Sequence, residues 1–407
     1  MKNRKIKISL FISYFVFAIL LNSVGILIQR SVNQYGTDEL SAGLLEGFKD
    51  LSIAFASFLA GSFLPRLGYK KAMLLALALV FSGCLIMYYG NSFNAVKILF
   101  TLLGISFAFI KTSVYSLTGL LTTGEKEHTG FLSAIESVFM IGIATAFIGF
   151  PLFYSDTDPD AWLNIYPAIA LLVAFSFIFL LTSDFSALTH EYPATNPLHD
   201  LKQMFYLLKR PAVPVFALAA LMYVMAEQGI MSWLPTFNER VLHLPEALAV
   251  RMSVILILSI AAGRYVSALL VKKMSWLLLL LICLAAAGLM VITVLPHAAN
   301  PGAEEIKTLS DVPLIAWVFP LIGFFLAPVY PMVSSAVLSS TEKIFHSPMA
   351  SLLVFFSALG GTAGSRLAGW LFHTIGGSKA FYFSLIPLTA LVICLLMLQL
   401  IISRKKV

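Results

Sequence analysis

Nine charged side chains fall inside stretches of sequence that are otherwise apolar: Glu46, Lys49, Asp50, Lys111, Glu136, Glu227, Arg251, Arg264 and Arg366. A charge at the centre of a bilayer costs at least about 2.5–3.5 kcal/mol on insertion scales, so such residues persist where they pair or border a wet cavity. Lys111 stands about ten residues, roughly 15 Å at helical rise, from the end of its apolar run. A cation at that depth anchors an anionic or polar solute, or switches against an acid; the alternative is a permanent ion pair with Glu136. Glu227 has Tyr223, Gln228 and Trp233 close by in sequence. A carboxyl in partly apolar surroundings can trade a proton near neutral pH, which makes Glu227 the candidate for proton coupling. Its alternative is a structural carboxylate paired with Arg366 or polar backbone. Glu46, Lys49 and Asp50, three and four apart, also have the spacing to satisfy one another on one helix.

The elements that position these groups follow from composition. Of 407 residues, 59% are hydrophobic and 12% charged, with a mean hydropathy of +0.91. Soluble domains carry roughly 45–50% apolar and about 25% charged residues. Too little polar surface remains to coat a water-soluble body, which excludes a soluble enzyme, a nucleic-acid binder or a disordered scaffold. Spanning a membrane takes about 20 mainly apolar residues per helix. Twelve such stretches occur, near 8–28, 41–64, 72–90, 95–121, 130–153, 161–182, 211–233, 247–270, 275–295, 312–339, 348–373 and 379–402. Barrel strands alternate apolar and polar residues, and these runs are continuously apolar. The first run is long for a signal peptide, lacks a cleavage site and is followed by eleven more.

With a cytoplasmic N-terminus, seventeen Lys and Arg residues fall in inner segments and five (Arg30, Lys97, Arg240, Lys307 and Lys379) in outer ones. This asymmetry is the positive-inside pattern and predicts both termini in the cytoplasm. The net charge of +7 is then a topology signal rather than a polyanion-binding one. Cys84, Cys283 and Cys394 all lie in apolar runs and read as small fillers.

Residues 183–210 form a polar, Pro-containing connection between the sixth and seventh runs. Its segment His199–Lys209 has the pattern of an amphipathic surface helix. The expected organisation is a six-helix bundle over 1–182, this cytoplasmic linker, and a second six-helix bundle over 211–407. An internal repeat supports it: shifting the second run by 202 residues onto the eighth places Lys49 on Arg251, Gly61 on Gly263, Lys70 on Lys272 and Lys71 on Lys273. The same shift places Gly25 on Glu227.

The segment Gly61-Ser62-Phe63-Leu64-Pro65-Arg66-Leu67-Gly68-Tyr69-Lys70-Lys71 resembles the loop signature of the major facilitator superfamily, with Pro65 where an acid stands and Tyr69 departing too. The stretch from Tyr223 to Pro235, Gly263-Arg264, Gly323 to Pro331 and Gly360-Gly361-Thr362-Ala363-Gly364 resemble the fucose–proton symporter branch. Gly25 and Lys111 occupy places where that branch carries acids. The resemblance implies an all-α integral membrane fold of twelve transmembrane helices in two pseudo-symmetric six-helix bundles. It also implies uptake of sugars or related polar solutes coupled to protons. The first and fourth helices of each bundle would line a central cavity, which brings Lys111 to it. The fifth and eighth spans would face each other, so Glu136 and Arg264, at equal depth, form one candidate gate. Asp50 and Arg366 form a second on the outer side, and the two alternate.

The expected function is a secondary transporter of the cytoplasmic (inner) membrane, moving a small polar solute, sugar-like or anionic, by alternating access. Lys111, Asn22, Tyr115, Tyr223, Gln228, Trp233 and Tyr330 are the candidate solute contacts, and Glu227 the proton carrier. Partners are the solute, protons or another coupling ion, and membrane lipid; no nucleic acid, no metal and no cofactor is expected, and the chain is taken as a monomer. No G-x-x-x-x-G-K-[ST] run is present for nucleotide hydrolysis. Rival expectations are drug or metabolite efflux by the same fold, a lipid facilitator, a membrane enzyme and a non-transporting membrane protein.

Overall fold

The computed structural model describes residues 2–121, 125–155, 157–185, 206–271, 273–299, 311–333 and 346–404, all of them helical or in short connections. Among the described residues, eleven helical stretches are long and apolar enough to cross a membrane. A further 23-residue helix, Leu45–Leu67, carries Glu46, Lys49 and Asp50 at one end and fills the place of the second expected span. The all-helical, multi-pass architecture is that expected from the apolar runs.

The first span is broken. α1 (Lys2–Leu21) stops and α2 (Val24–Tyr35) restarts two residues later. The Asn22 amide donates to the Ala18 carbonyl at 3.1 Å, and the Ser23 hydroxyl to the Leu20 carbonyl at 2.7 Å. Side chains that take backbone carbonyls in this way compete with the helix ladder. After a short α3 (Glu39–Ala42) come α4 (Leu45–Leu67) and α5 (Tyr69–Gly90), joined through Gly68 alone. Gly68 has φ +86°, a conformation that a side chain would strain. α6 (Phe93–Leu121), α7 (Glu125–Gly149) and α8 (Ile165–Leu181) complete the first half of the chain.

The second half opens with α9 (Ala212–Arg240), a 29-residue helix with Pro235 inside it. Proline has no N–H, so the Met231 carbonyl one turn back loses its helical donor. A Cβ on Gly25 would lie 3.1 Å from that carbonyl and 2.9 Å from the Ser232 carbonyl, so α2 meets α9 backbone to backbone at this place. α10 (Glu246–Met252) and α11 (Val254–Leu270) are separated at Ser253, whose hydroxyl donates to the Ala249 carbonyl and accepts from Asn238. α12 (Trp276–Val294) follows. The tenth span is fragmented into α13 (Leu314–Val318), a 3-10 turn, α14 (Ile322–Leu326) and 329–333, in a stretch that holds Pro320, Pro328 and Pro331. α15 (His346–Ile375), α16 (Gly377–Ala380) and α17 (Leu385–Arg404) end the chain.

Packing divides the chain into two units, Met1–Val24 with Phe48–Leu201, and Gly25–Gly47 with Lys202–Val407. The second unit therefore includes α2 and α3, a grouping that the apolar runs gave no reason to expect. Residues 186–205, which hold most of the expected linker helix, lie outside the described residues. In the first unit, α5 packs on α6 and α8, and α1 on α6, α7 and α8. Ser13 and Ser176 pair across α1 and α8 at 3.1 Å. On α8, Leu171, Phe175 and Ile178 are 74%, 54% and 59% exposed, while Ile169, Val173, Ser176 and Leu180 are buried. A face that apolar is compatible with lipid and not with water. In the second unit, α9 packs along α15 and α17, and α15 also packs on α3.

Candidate functional site

In the second unit a polar cluster forms around Glu227. Its Oε1 accepts a 2.5 Å hydrogen bond from the Tyr223 hydroxyl, one turn earlier on α9. The Tyr223 ring lies 5.9 Å from that of Tyr330, on the tenth span. The guanidinium of Arg264, on α11, acts electrostatically on all three groups and is the charge that acts most strongly on Glu227. Tyr223 is buried, Glu227, Gln228 and Tyr330 are half-buried, and Arg264 is exposed. A buried hydroxyl and a half-buried carboxylate thus meet within the span, with a cation in electrostatic range. Glycine contacts hold the backbones: Gly263 lies against the Phe324 carbonyl, and a Cβ on Gly323 would be 2.8 Å from the Leu256 carbonyl. The hydrogen bond that Glu227 accepts comes from Tyr223.

A second cluster lies in the first unit. The Tyr14 hydroxyl donates to Glu136 Oε1 at 3.2 Å. The rings of Tyr14, Phe107 and Phe139 lie within 5.0–6.0 Å of one another. The Lys111 ammonium sits 5.8 Å from the Phe107 ring centre, in range of a cation–π contact, and the Lys111 side chain is exposed. α1, α6 and α7 supply these residues. Lys49 pairs with Asp50 at 3.4 Å, whereas Glu46, buried in the second unit, accepts from the Ser232 hydroxyl at 2.6 Å.

Other expected contacts take different places. Asn22 is half-buried and spends its amide on the break in the first span. Trp233 is fully buried: its indole N–H donates to the Ser365 carbonyl at 2.8 Å, and its ring lies 5.0 Å from that of Phe372. With no free face and its one donor satisfied, Trp233 packs α9 on α15 in this arrangement and offers a solute nothing. The Tyr115 side chain lies outside the described residues. Of the expected gating residues, Glu136 and Asp50 belong to the first unit, Arg264 and Arg366 to the second.

A third constellation was missed by sequence reasoning. Inside the second unit, Glu39 accepts from Arg240 at 2.6 Å and contacts His373 at 3.2 Å. Glu239 accepts from Gln29 at 2.6 Å and from Asn33 at 2.7 Å, and Arg30 lies 3.1 Å from Glu246. Burial pushes the Glu39 carboxyl up, but hydrogen bonds from its own backbone amide, His373 and Arg240 outweigh that and hold it below the ordinary range. The sequence signal was available: Gln29 and Asn33, four apart, share one face of α2. These residues had been read only as span ends and loops.

The family model of the major facilitator superfamily matches residues 8–344. The chain belongs to that superfamily. As a major facilitator protein it is a multi-pass membrane transporter, not an enzyme. Solved structures with this fold include the nucleoside transporter NupG, 15% identical over 98% of both chains with a TM-score of 0.73. A D-xylose-proton symporter is 12% identical, covering 98% of this chain and 97% of that one, with a TM-score of 0.70. The E. coli fucose:proton symporter FucP is 15% identical, covering 98% and 99%, with a TM-score of 0.64. At such identities the likeness is one of fold alone. No curated sequence matches the chain.

Proposed function

We propose that this facilitator-superfamily protein is a proton-coupled carrier of a small polar solute, sugar-like or anionic, working by alternating access in the cytoplasmic membrane with both termini inside. The observation that carries the reading is the Glu227 cluster. A half-buried carboxylate bonded to a tyrosine hydroxyl, with a cation in electrostatic range, has both a charged and a neutral state that the surroundings can satisfy. Protonation removes the carboxylate charge to which the Tyr223 hydroxyl donates, so the proton and the arrangement of the cluster are linked. Carriers of nucleosides, D-xylose and fucose among the structural neighbours support a polar solute.

Lys111, beside the aromatic group of the first unit, is the candidate solute contact there, and Gln228 and Tyr330 are those of the second unit. Glu136, Arg264, Asp50 and Arg366 remain the candidate gating residues of an alternating-access cycle. The test is transport in proteoliposomes of the solute that a thermal-shift screen of polar metabolites identifies. Glu227→Gln should keep solute exchange and lose accumulation driven by a pH gradient. Accumulation that survives the substitution removes Glu227 as the coupling group.

A further inference from the structure

We propose that the second unit holds an anionic phospholipid, with one acyl chain in an apolar groove between α11, α12 and the tenth span and the phosphate on Arg251. Such a site needs only that the chain cross a membrane, whatever its solute or coupling ion.

The groove encloses about 560 Å³, within the roughly 300–1,000 Å³ of small-molecule sites. Leu258 and Ala262 of α11, Met290 of α12, and Leu321 and Phe325 of the tenth span form walls of it. It lies beside the 3-10 turn Phe319–Leu321, where the tenth span leaves the regular helix. Among the described residues that line it, one hydroxyl occurs, that of Ser259, and it donates to the Ile255 carbonyl at 2.7 Å. A polar solute finds no partner there, and an apolar cavity holds water poorly. A hydrocarbon chain fits that chemistry. Leu258 and Leu321 are exposed at the groove, on helices that span the membrane, so this surface meets acyl chains.

Arg251 stands at one end of the groove. It lies on α10 one turn before the wall residue Ile255, and the helical path continues between them through Ser253 in the αR conformation. Arg251, Leu258, Ala262 and Tyr265 follow one another at helical spacing and are all exposed, so they share a face. At 1.5 Å per residue Arg251 and Leu270 lie about 29 Å apart along the helix, close to the roughly 30 Å of a hydrocarbon core. With Leu270 at one edge, Arg251 reaches headgroup level at the other, the outer one under the proposed topology. Trp317 on α13, exposed and next to the wall residue Val318, is of the type that settles at this boundary.

Among the described residues the Arg251 guanidinium has no hydrogen-bond or ion-pair partner. Its repeat counterpart Lys49 pairs with Asp50 at 3.4 Å, and the position that matches Asp50 holds Met252. The second half thus carries the cation without the neighbouring acid. A phosphodiester bears one negative charge and fits the guanidinium fork with two parallel hydrogen bonds. A headgroup without an ammonium of its own leaves that charge for Arg251, which favours phosphatidylglycerol over phosphatidylethanolamine.

The test uses the full-length protein purified in detergent, with lipid binding resolved by native mass spectrometry. The probes are palmitoyl-oleoyl phosphatidylglycerol, the matching phosphatidylethanolamine, palmitate, and glycerophosphoglycerol, the headgroup without chains. Phosphatidylglycerol should bind most tightly, with palmitate and glycerophosphoglycerol weaker by about tenfold or more. Arg251→Gln should lower the phosphatidylglycerol affinity by about tenfold, the loss of a hydrogen bond to a charged group, and abolish the preference over phosphatidylethanolamine. Arg251→Lys, which keeps the charge but not the fork, should fall between. Ala262→Trp fills the groove and should weaken both lipids alike; Ala262→Leu is the smaller filler should tryptophan not be tolerated. Lys379→Gln, which removes another exposed cation of the same unit, should leave binding unchanged. Equal affinity for the two lipids in the wild type, unchanged affinity in Arg251→Gln or in both Ala262 variants, or an equal loss in Lys379→Gln overturns the proposal. So does binding of palmitate or of the bare headgroup as tight as that of the whole lipid.

Discussion

Glu39 Oε1 accepts a 2.6 Å hydrogen bond from Arg240 Nη1 across 201 residues of sequence, and the other oxygen of the same carboxylate faces His373 at 3.2 Å. One side chain thus joins α3 to α9 and α15. The approach is close because glycines stand at the contact: Gly369 lies against the Glu39 carbonyl, and a Cβ on Gly43 would be 2.8 Å from the Ser365 carbonyl. The contact gathers the segment Gly25–Gly47 into the second unit.

The pH dependence of this contact has a definite sign. The Glu39 carboxyl is held below its ordinary value of 4.5. A depressed carboxyl adds stability that is fully present above the ordinary value and is lost as pH falls through the lowered one. Glu39→Gln should therefore be less stable than the wild type near pH 6, on the order of 0.2–1 kcal/mol for a partly exposed pair. The margin should close below about pH 4.5. Thermal unfolding across this range checks it; a margin that widens in acid would contradict the assignment.

Tyr223→Phe deletes the 2.5 Å bond to Glu227 and leaves the ring contact with Tyr330 in place. A hydrogen bond to a charged group contributes about 1.5–3 kcal/mol. Proton-driven uptake should slow by roughly tenfold or more, a loss of about 1.4 kcal/mol per decade, beyond what the loss of folded protein accounts for. Comparing uptake with thermal stability on the same preparations separates a coupling effect from a folding one.

Lys70 donates to the Leu181 carbonyl at 2.8 Å and the Ser183 carbonyl at 2.7 Å, at the C-terminal end of α8. Free carbonyls there carry the negative end of the helix dipole, which a cation stabilises by about 0.3–1 kcal/mol. Lys70→Ala should fray this end, read as faster hydrogen exchange at the amides of 182–185, and Lys70→Arg should restore most of the protection. Unchanged exchange in the alanine variant would show that the lysine holds nothing.

Two glycines should respond in opposite ways. A Cβ on Gly364 would run into the Met225 carbonyl, whereas one on Gly149 meets nothing within 4 Å. Gly364→Ala forces α15 and α9 apart and should lose about 1–3 kcal/mol. Gly149→Ala fills open space at a helical position and should be neutral or gain up to about 1 kcal/mol, since glycine is the poorer helix former. Thermal stability of the pair measures the contrast directly.

The sequence alone determined the solvent, the helical class and the succession of spans, because the cost of a polar group in hydrocarbon writes itself into every apolar run. It also singled out Glu227, Lys111 and Arg264, since a charge in such a run stands out wherever it occurs. It did not foresee the break at Asn22-Ser23, a contest between two short polar side chains and the ladder over carbonyls. Nor did it pair Glu46 with Ser232, or Glu39 with Arg240. Those pairings depend on how each helix is rotated and how deep it sits against its neighbours, which glycine contacts such as Gly263 on Phe324 set to within ångströms. Periodicity records which face of a helix is apolar; only packing decides which polar groups, far apart in the chain, come within hydrogen-bonding distance.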